Sequence, residues 1–493
     1  MTASWWRVGL LYQIYPRSFA DGNGDGVGDL EGLIARLDYL EWLGVDGIWL
    51  NPIHPSPNVD SGYDVADYTG VHPDFGTLDD VDRLVAEAAR RGIRVMLDPV
   101  PNHTSDRHPW FRERPDFYVW HDEIPNNCSA IFGGGSAWEL DEVHGNYYLH
   151  NFAPEQPDLD WWNPKVRAEF ERILRFWFDR GVAGFRIDVC HALIHDRELR
   201  DDPPGSRAFS MDRPETHEIL RTWRSLSDGY DPPRTLLGEA YVLDLGEWAR
   251  YYGSDADELD LAFAFTLVHA DLDAEQMRRV VSATEAALPA GAWPCWTGSN
   301  HDAGRLATRW CHGDESQARC ALLLLLALRG TPCLYYGDEL ALTAGYVPPE
   351  RMLDCADPPR DSCRTPMPWS REGGWNRPWL PLEDTSRNVE DQFADPASTL
   401  HFTRDLIALR RRLPDLQAGA YAELPAPEGA WAWRRGKDTM VALNLGDLAV
   451  EIDGIEGSIA LGTTRDREGE LVSGFLSLRP REGAIVVPRS TVS

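Results

Sequence analysis

Four short stretches carry residues suited to acid–base and nucleophilic chemistry: Asp98-Pro-Val-Pro-Asn102-His103, Gly184-Phe-Arg186-Ile-Asp188, Gly238-Glu239 and Asn300-His301-Asp302. Each lies at the end of an apolar run that reads as a strand. Side chains alternate with a period of two along a strand, so Arg186 and Asp188 face the same side. A guanidinium beside a carboxylate keeps it ionised well below neutral pH, the state a carboxylate nucleophile requires. Like charges facing one cavity act the other way and raise at least one partner, making a proton donor near neutrality. One acid plus one ionised carboxylate is the equipment for glycoside cleavage; a separation of roughly 5–5.5 Å would retain the anomeric configuration. Alone, the Arg186–Asp188 pair could equally be structural. Its recurrence with carboxylates at later strand ends favours a site.

The elements that must position these residues alternate along the chain. Strands are expected at Leu10–Tyr15, Gly47–Leu50, Arg94–Val100, Gly184–Val189, Thr235–Ala240, Leu259–Thr266, Trp293–Ser299 and Pro332–Tyr336. Helical spacing falls between them, at Leu30–Leu43, Asp79–Arg91, Val166–Arg180, Glu315–Arg329 and Ser398–Arg412. Serial β-then-α units predict an α/β fold, a (β/α)₈ TIM barrel, with a doubly wound open sheet as the alternative. Barrel enzymes place their chemistry at the C-terminal ends of the strands, where these four stretches fall.

Two stretches interrupt the alternation. Residues 104–160 are rich in Gly, Pro, Trp and Asn and read as an inserted subdomain; residues 340–397 read as a long loop region beside the site. After Leu413 short alternating runs predict a C-terminal antiparallel β-sandwich. The expected domains are therefore a barrel (1–103 and 161–413), an insertion (104–160) and a sandwich (414–493).

The net charge of −31 disfavours nucleic acid and anionic membranes as partners. None of the eight cysteines forms a C-x-x-C pair, and none has zinc spacing with histidine. Met1–Arg7 lacks the regions of a signal peptide, and the apolar run Ala321–Leu328 is too short to span a bilayer. A cytoplasmic protein with reduced thiols, monomeric or homodimeric, is expected. A serine-hydrolase elbow, a P-loop and a dinucleotide-binding glycine motif are all missing.

In order, the four stretches resemble the main motifs of the α-amylase superfamily of glycoside hydrolases (family 13), closest to its α-glucosidase and oligo-1,6-glucosidase branch. The resemblance covers nearly the whole chain. It implies Asp188 as nucleophile, Glu239 as general acid/base and Asp302 as transition-state stabiliser, with His103, Arg186 and His301 around the bound glucose. Asp60-Ser-Gly-Tyr63 is similar to the family pair in which Asp binds the terminal hydroxyls and Tyr stacks on the ring, which implies exo-action on short oligosaccharides. Phe152 matches a family aromatic near that glucose, and Arg364 a family arginine that gates the pocket. Gln156-Pro-Asp-Leu-Asp160 departs from the branch motif only in its last residue, Asn in the branch. Val189 resembles the residue of α-1,6-cleaving members, where Ala or Thr marks α-1,4 enzymes.

Asp21-Gly-Asn23-Gly-Asp25-Gly-Val27-Gly-Asp29 sets oxygens at alternate positions round a glycine-rich turn, which suits a hard cation. It resembles the branch's Ca²⁺ loop, with Asp21, Asn23, Asp25, Asp29 and the Val27 carbonyl as ligands; Mg²⁺ is the other candidate. The expected activity is a retaining exo-α-glucosidase acting on α-1,4 or α-1,6 links of small α-glucosides. The alternative is a glucosyltransferase or isomerase using the same trio, of the trehalose synthase, sucrose isomerase or sucrose hydrolase type. A non-catalytic binding homologue is more remote, because such proteins lose members of the trio.

Overall fold

The computed structural model describes residues 4–489. Met1–Ala3, part of the stretch read against a signal peptide, lie outside the described residues. Strands are numbered in chain order. β1 (Leu11–Ile14), β2 (Gly47–Leu50) and β3 (Arg94–Leu97) precede three short strands, β4 (Trp120–His121), β5 (Trp138–Asp141) and β6 (Asn146–Leu149). β7 (Gly184–Ile187), β8 (Thr235–Gly238), β9 (Leu261–Phe263), β10 (Pro294–Trp296) and β11 (Thr331–Tyr335) follow. β1, β2, β3 and β7 to β11 close a parallel barrel in the order β1-β11-β10-β9-β8-β7-β3-β2. Closure settles the choice against an open doubly wound sheet.

Both faces of a barrel strand are covered, so its residues form continuous apolar runs instead of alternating. Leu11, Trp49, Met96, Leu237, Leu261 and Cys333 fill the interior. The outer faces pack on helices such as Leu78–Arg90 and Pro164–Asp179, which bury Val81, Leu84, Phe170 and Trp177. Strands end two to three residues earlier than several expected runs: Asp98, Asp188 and Glu239 follow β3, β7 and β8 and belong to the turns. The expected helix Leu30–Leu43 is two helices, Leu30–Ala35 and Leu37–Leu43. Arg36 leaves helical geometry between them, its guanidinium 4.1 Å from the Trp369 ring centroid.

β4, β5 and β6 make a small antiparallel sheet in the order β4-β6-β5. The bridge His103–Asp158 ties this insertion back to the barrel rim, and Tyr118–Leu159 joins its two ends. Beyond the barrel lie β12 (Tyr421–Leu424), β13 (Ala430–Arg435), β14 (Thr439–Asn444), β15 (Val450–Asp453), β16 (Gly457–Gly462), β17 (Leu471–Val472), β18 (Phe475–Leu478) and β19 (Glu482–Val487). They form a six-stranded antiparallel sheet, β12-β13-β14-β19-β16-β17, and a two-stranded one, β15-β18. Ala432, Ile452, Leu476 and Val486 pack between them. Trp431, Trp433 and Ile485 on the other face join the barrel's core around the helix Glu315–Ala327. The end of that helix is bonded by buried arginines: Arg410 donates to Leu326 O at 2.8 Å and Arg435 to Ala327 O at 2.5 Å.

Candidate active site

Gly184 opens β7 where a Cβ would stand 2.3 Å from the Thr235 carbonyl of β8. Glycine alone permits that approach, and it brings Arg186 of β7 beside Glu239 beyond β8. Arg186 is 1% exposed. Its Nη1 donates to Asp98 Oδ1 and Oδ2 at 2.8 and 2.9 Å and to Asp188 Oδ1 at 2.7 Å, while Nη2 pairs with Glu239 Oε2. The Val189 amide reaches the same Glu239 oxygen at 3.0 Å.

This sharing corrects the expectation that Arg186 holds Asp188 ionised far below neutrality. One guanidinium serves three carboxylates. Burial raises the Asp188 carboxyl well above the usual range, Arg186 offsets that only in part, and Glu239 and Asp98 push it further up. Burial likewise raises Asp98 to about 7, against Arg186 and the Tyr63 hydroxyl. One guanidinium shared in this way does not offset burial at Asp98 and Asp188, so these two carboxyls keep their protons to higher pH than free carboxylates.

Asp302 is different. It projects into the cavity as the most open member, its side chain 34% exposed. Desolvation by the cavity walls raises its carboxyl, but His301 and the guanidiniums of Arg360 and Arg364 outweigh that and hold it well below the usual range. The arginines supply the charge, because burial also drives His301 well below its ordinary value and leaves it neutral. The Gln13 amide lies 2.9 Å from His301 Nδ1 and assigns Nε2–H to face Asp302 at 3.2 Å.

A cavity of about 850 Å³ opens over these groups. Asp60, Tyr63, His103 and Phe152 line one end, beside Arg360. Arg360 Nη2 lies 2.6 Å from Asp60 Oδ1 and Nη1 2.7 Å from Asp302 Oδ1. The Tyr63 ring stacks on His301 with centroids 5.2 Å apart, and its hydroxyl donates to Asp98 at 3.0 Å. Phe152 packs on His103 at 5.0 Å. Burial lowers His103 to about 3, and Gln156 donates to it at 2.9 Å and to Asp60 at 3.1 Å. Thus Gln156 fastens the insertion to the closed end.

The structure brings together at the cavity wall the proposed trio and the proposed substrate residues Asp60, Tyr63, His103, Phe152 and His301; Arg186 lies buried beneath the trio. Arg364 does not line the cavity. It is fully buried behind the site, donating to His301 O at 2.9 Å and to Asp302 at 3.2 Å. Arg360, one turn earlier in the same loop, takes the wall position that Arg364 was expected to hold. The turn Asp361–Cys363 separates the two arginines, and residue type alone does not distinguish them.

Comparison with known proteins gives the family. The family model described as the alpha amylase catalytic domain matches residues 13–419. The chain belongs to the α-amylase family. It is 42% identical over 468 residues to a probable alpha-glucosidase of Rhizobium meliloti (strain 1021), covering 84% of each chain. It is 38% identical over 505 residues to the trehalose-6-phosphate hydrolase of Escherichia coli (strain K12), covering 90% of this chain and 91% of the relative. Among solved structures, an alpha-glucosyl transfer enzyme superposes with a TM-score of 0.91 at 37% identity, covering 98% of this chain and 100% of the other.

Two further features of this α-amylase-family chain lie around the site. The loop between β7 and the helix Thr216–Asp228 brings Arg207, Met211 and Asp212 to the cavity wall, Asp212 bonded through its amide to His191 beside Glu239. Sequence reasoning missed this wall, because residues 195–215 have no periodicity and no motif to mark them. Asp60, Asp354 and Cys355 offer ligand atoms within 4.8 Å of one another. The Arg360 guanidinium pairs with both of these carboxylates, at 2.6 Å each, and takes the place a cation would fill.

The glycine-rich loop 21–29 is folded by its own acids. Asp21 accepts the amides of Gly24 and Gly26 at 2.6 and 2.8 Å, and Asn23 and Asp25 accept those of Asp25 and Val27 at 2.8 Å. Asp29 accepts from Gly22, Asn23 and Gly32 and caps the helix Leu30–Ala35. Burial raises the Asp29 carboxyl, and the charge of Asp21 adds to the rise. The donor chemistry, all oxygen and rich in carboxylates, suits a hard cation, although here those oxygens accept backbone amides and three of the loop's carboxylates do not converge within 4.8 Å of one another.

Proposed function

We propose that the protein is a retaining exo-α-glucosidase acting on α-1,4- or α-1,6-linked glucose of di- and short oligosaccharides. The observation that carries this is the closed end of the cavity, where Arg360 links Asp60 to Asp302 over Tyr63 and Phe152. A chain end fits there; the middle of a polymer does not. In this reading Asp188 Oδ attacks C1 as the glucosidic C1–O bond breaks and its electron pair leaves with the oxygen. Glu239 gives that oxygen a proton. The carboxylate Glu239 then takes a proton from water, whose oxygen bonds to C1 as the ester bond to Asp188 breaks, and α-glucose departs. Asp302, kept ionised by its arginines, faces the positive charge that develops on the ring.

A second reading is transfer of glucose to another sugar by the same trio. The 37% identity to an alpha-glucosyl transfer enzyme favours it, as do apolar side chains at the leaving end, Val189, Met211 and Val242. Product analysis on maltose, isomaltose, sucrose, trehalose and trehalose 6-phosphate separates the readings. Glucose as main product supports hydrolysis; a new disaccharide supports transfer; no turnover of any would refute both and leave the binding homologue. We assign to loop 21–29 a structural Ca²⁺, or Mg²⁺, held by Asp21, Asn23, Asp25, Asp29 and the Val27 carbonyl. A cytoplasmic site of action accords with eight free cysteines and with no described helix long and apolar enough to cross a membrane.

A further inference from the structure

The cavity wall beside Glu239 holds one carboxylate that the chemistry above does not use. Asp212 sits at the end of the β7 loop, half-buried, and faces the cavity from the side of Glu239 and Tyr241. Its backbone is left-handed at φ 53°, an uncommon conformation for a residue other than glycine. Two bonds hold it there. Its amide donates to the His191 carbonyl at 2.7 Å, and the Tyr251 hydroxyl donates to Oδ1 at 2.7 Å. Tyr251 is fully buried and packs on His217, which in turn lies 2.7 Å from Glu258. The adjacent Arg213 does not neutralise Asp212; it turns to Asp196 at 3.6 Å and Glu215 at 3.9 Å.

So a buried chain of side chains aims one carboxylate, and Tyr251 takes only one of its oxygens. Asp212 lines the cavity with Met211, Ala208 and Val242, and Tyr251 leaves its second oxygen able to accept. Glu239 protonates the leaving oxygen, so this wall meets the leaving group and not the glucose held by Asp60. A wall that combines apolar side chains with the Asp212 acceptor and the Arg207 donor suits a ring that presents hydroxyls at one edge. An aromatic leaving group could use the apolar surface but would give the carboxylate no donor.

We propose that Asp212, aimed by Tyr251, accepts hydrogen bonds from the hydroxyls of the leaving sugar and selects carbohydrate leaving groups over aromatic ones. This rests on the α-glucosidase reading. Asp212 is a specificity residue for the leaving side, and Tyr251 is its positioning residue.

The test compares kcat/KM for maltose and isomaltose with that for p-nitrophenyl α-glucoside in the full-length protein. In Asp212→Ala the ratio of disaccharide to aryl glucoside should fall ~10- to 100-fold, the loss expected for a hydrogen bond to a charged group. Asp212→Asn loses the charge, and with Tyr251 holding its oxygen it offers the sugar hydroxyls an amide donor instead, so it should fall less than Asp212→Ala. Tyr251→Phe removes only the hydroxyl that aims Asp212, and should lower the same ratio while folding is retained in the thermal melt. An equal fall on all three substrates, or no fall in Asp212→Asn and Tyr251→Phe, would overturn the proposal. Failure of the parent protein to release glucose from any of them would sink the underlying α-glucosidase reading instead.

Discussion

Replacing Arg186 by Met removes the only positive charge that touches Asp98, Asp188 and Glu239 among the described residues. Each of those pairs is worth about 4 kcal/mol before desolvation, at ~4 Å between charges and an effective dielectric constant of roughly 20. Removing one partner of a buried pair costs about 3–5 kcal/mol, because the remaining charges are left uncompensated. The cluster escapes part of that cost by binding a further proton. Asp188 is already raised by burial, and Arg186 is the largest influence holding it down. Losing that support raises the Asp188 carboxyl still further, because Arg186 alone opposed its burial. The nucleophile must be ionised, so kcat/KM at neutral pH should fall ~100- to 1000-fold. The fall should be steeper toward acid, with the rising limb of the pH profile moved to higher pH. Arg186→Lys keeps the charge but cannot fork to three carboxylates, and should lie between. The assay is glucose release from maltose, or from an aryl glucoside, between about pH 5 and 9. A uniform loss of rate with the acid limb in place would refute the electrostatic role and leave Arg186 as scaffold.

Asp98 and Asp188 carry carboxyls raised by the fold, so their ionisation weakens folding as pH climbs from the ordinary carboxylate range through their raised values. Asp188→Asn should therefore gain more in melting temperature at pH 8 than at pH 5; an equal or opposite change contradicts the burial argument. Glu239→Gln removes the proton donor and should lower kcat/KM on disaccharides ~100- to 10,000-fold, with a smaller loss on aryl glucosides whose leaving group needs no proton; equal losses would point away from acid catalysis. Chelation of Ca²⁺ should lower the melting temperature and re-addition restore it, while Asp29→Ala, which also loses a helix cap, should cost ~1 kcal/mol or more. A melting curve indifferent to chelator and Ca²⁺ would dismiss the cation.

What the sequence made legible was whatever repeats or alternates. The barrel could be read because a strand covered on both faces is a short apolar run, and each run is followed by a helix with its own period. The carboxylates could be read because they stand at the ends of those runs. What was not legible depends on distances between elements. Nothing in Gly184-Phe-Arg186-Ile-Asp188 says that Asp98 and Glu239 will claim the same guanidinium, so the direction of the shift at Asp188 could not be had from the pair alone. Arg360 and Arg364 stand in one irregular loop, and only the turn between them decides which meets the cavity. Asp212 lies in a stretch with no period, and its partner Tyr251 is 39 residues further along the chain.

Val189 joins the legible part to the other. Its side chain, directly after Asp188, was read for linkage preference. Its backbone carries a second role: φ is 33° and ψ is 48°, left-handed for a β-branched residue. Such a conformation costs about 1–3 kcal/mol and persists only where surrounding contacts enforce it. Here the turn carries the Val189 amide to 3.0 Å from Glu239 Oε2, the oxygen that also meets Arg186. The two roles can be separated. Val189→Ala keeps the amide and the turn and trims the isopropyl group to a methyl, so a changed ratio of isomaltose to maltose cleavage reads side-chain bulk. Val189→Gly relieves the strain as well; it should raise the melting temperature and lower kcat on both sugars, since the amide is no longer forced onto Glu239. If Val189→Gly is no more stable than Val189→Ala, the left-handed turn stores no strain, and the amide contact is incidental to the chemistry.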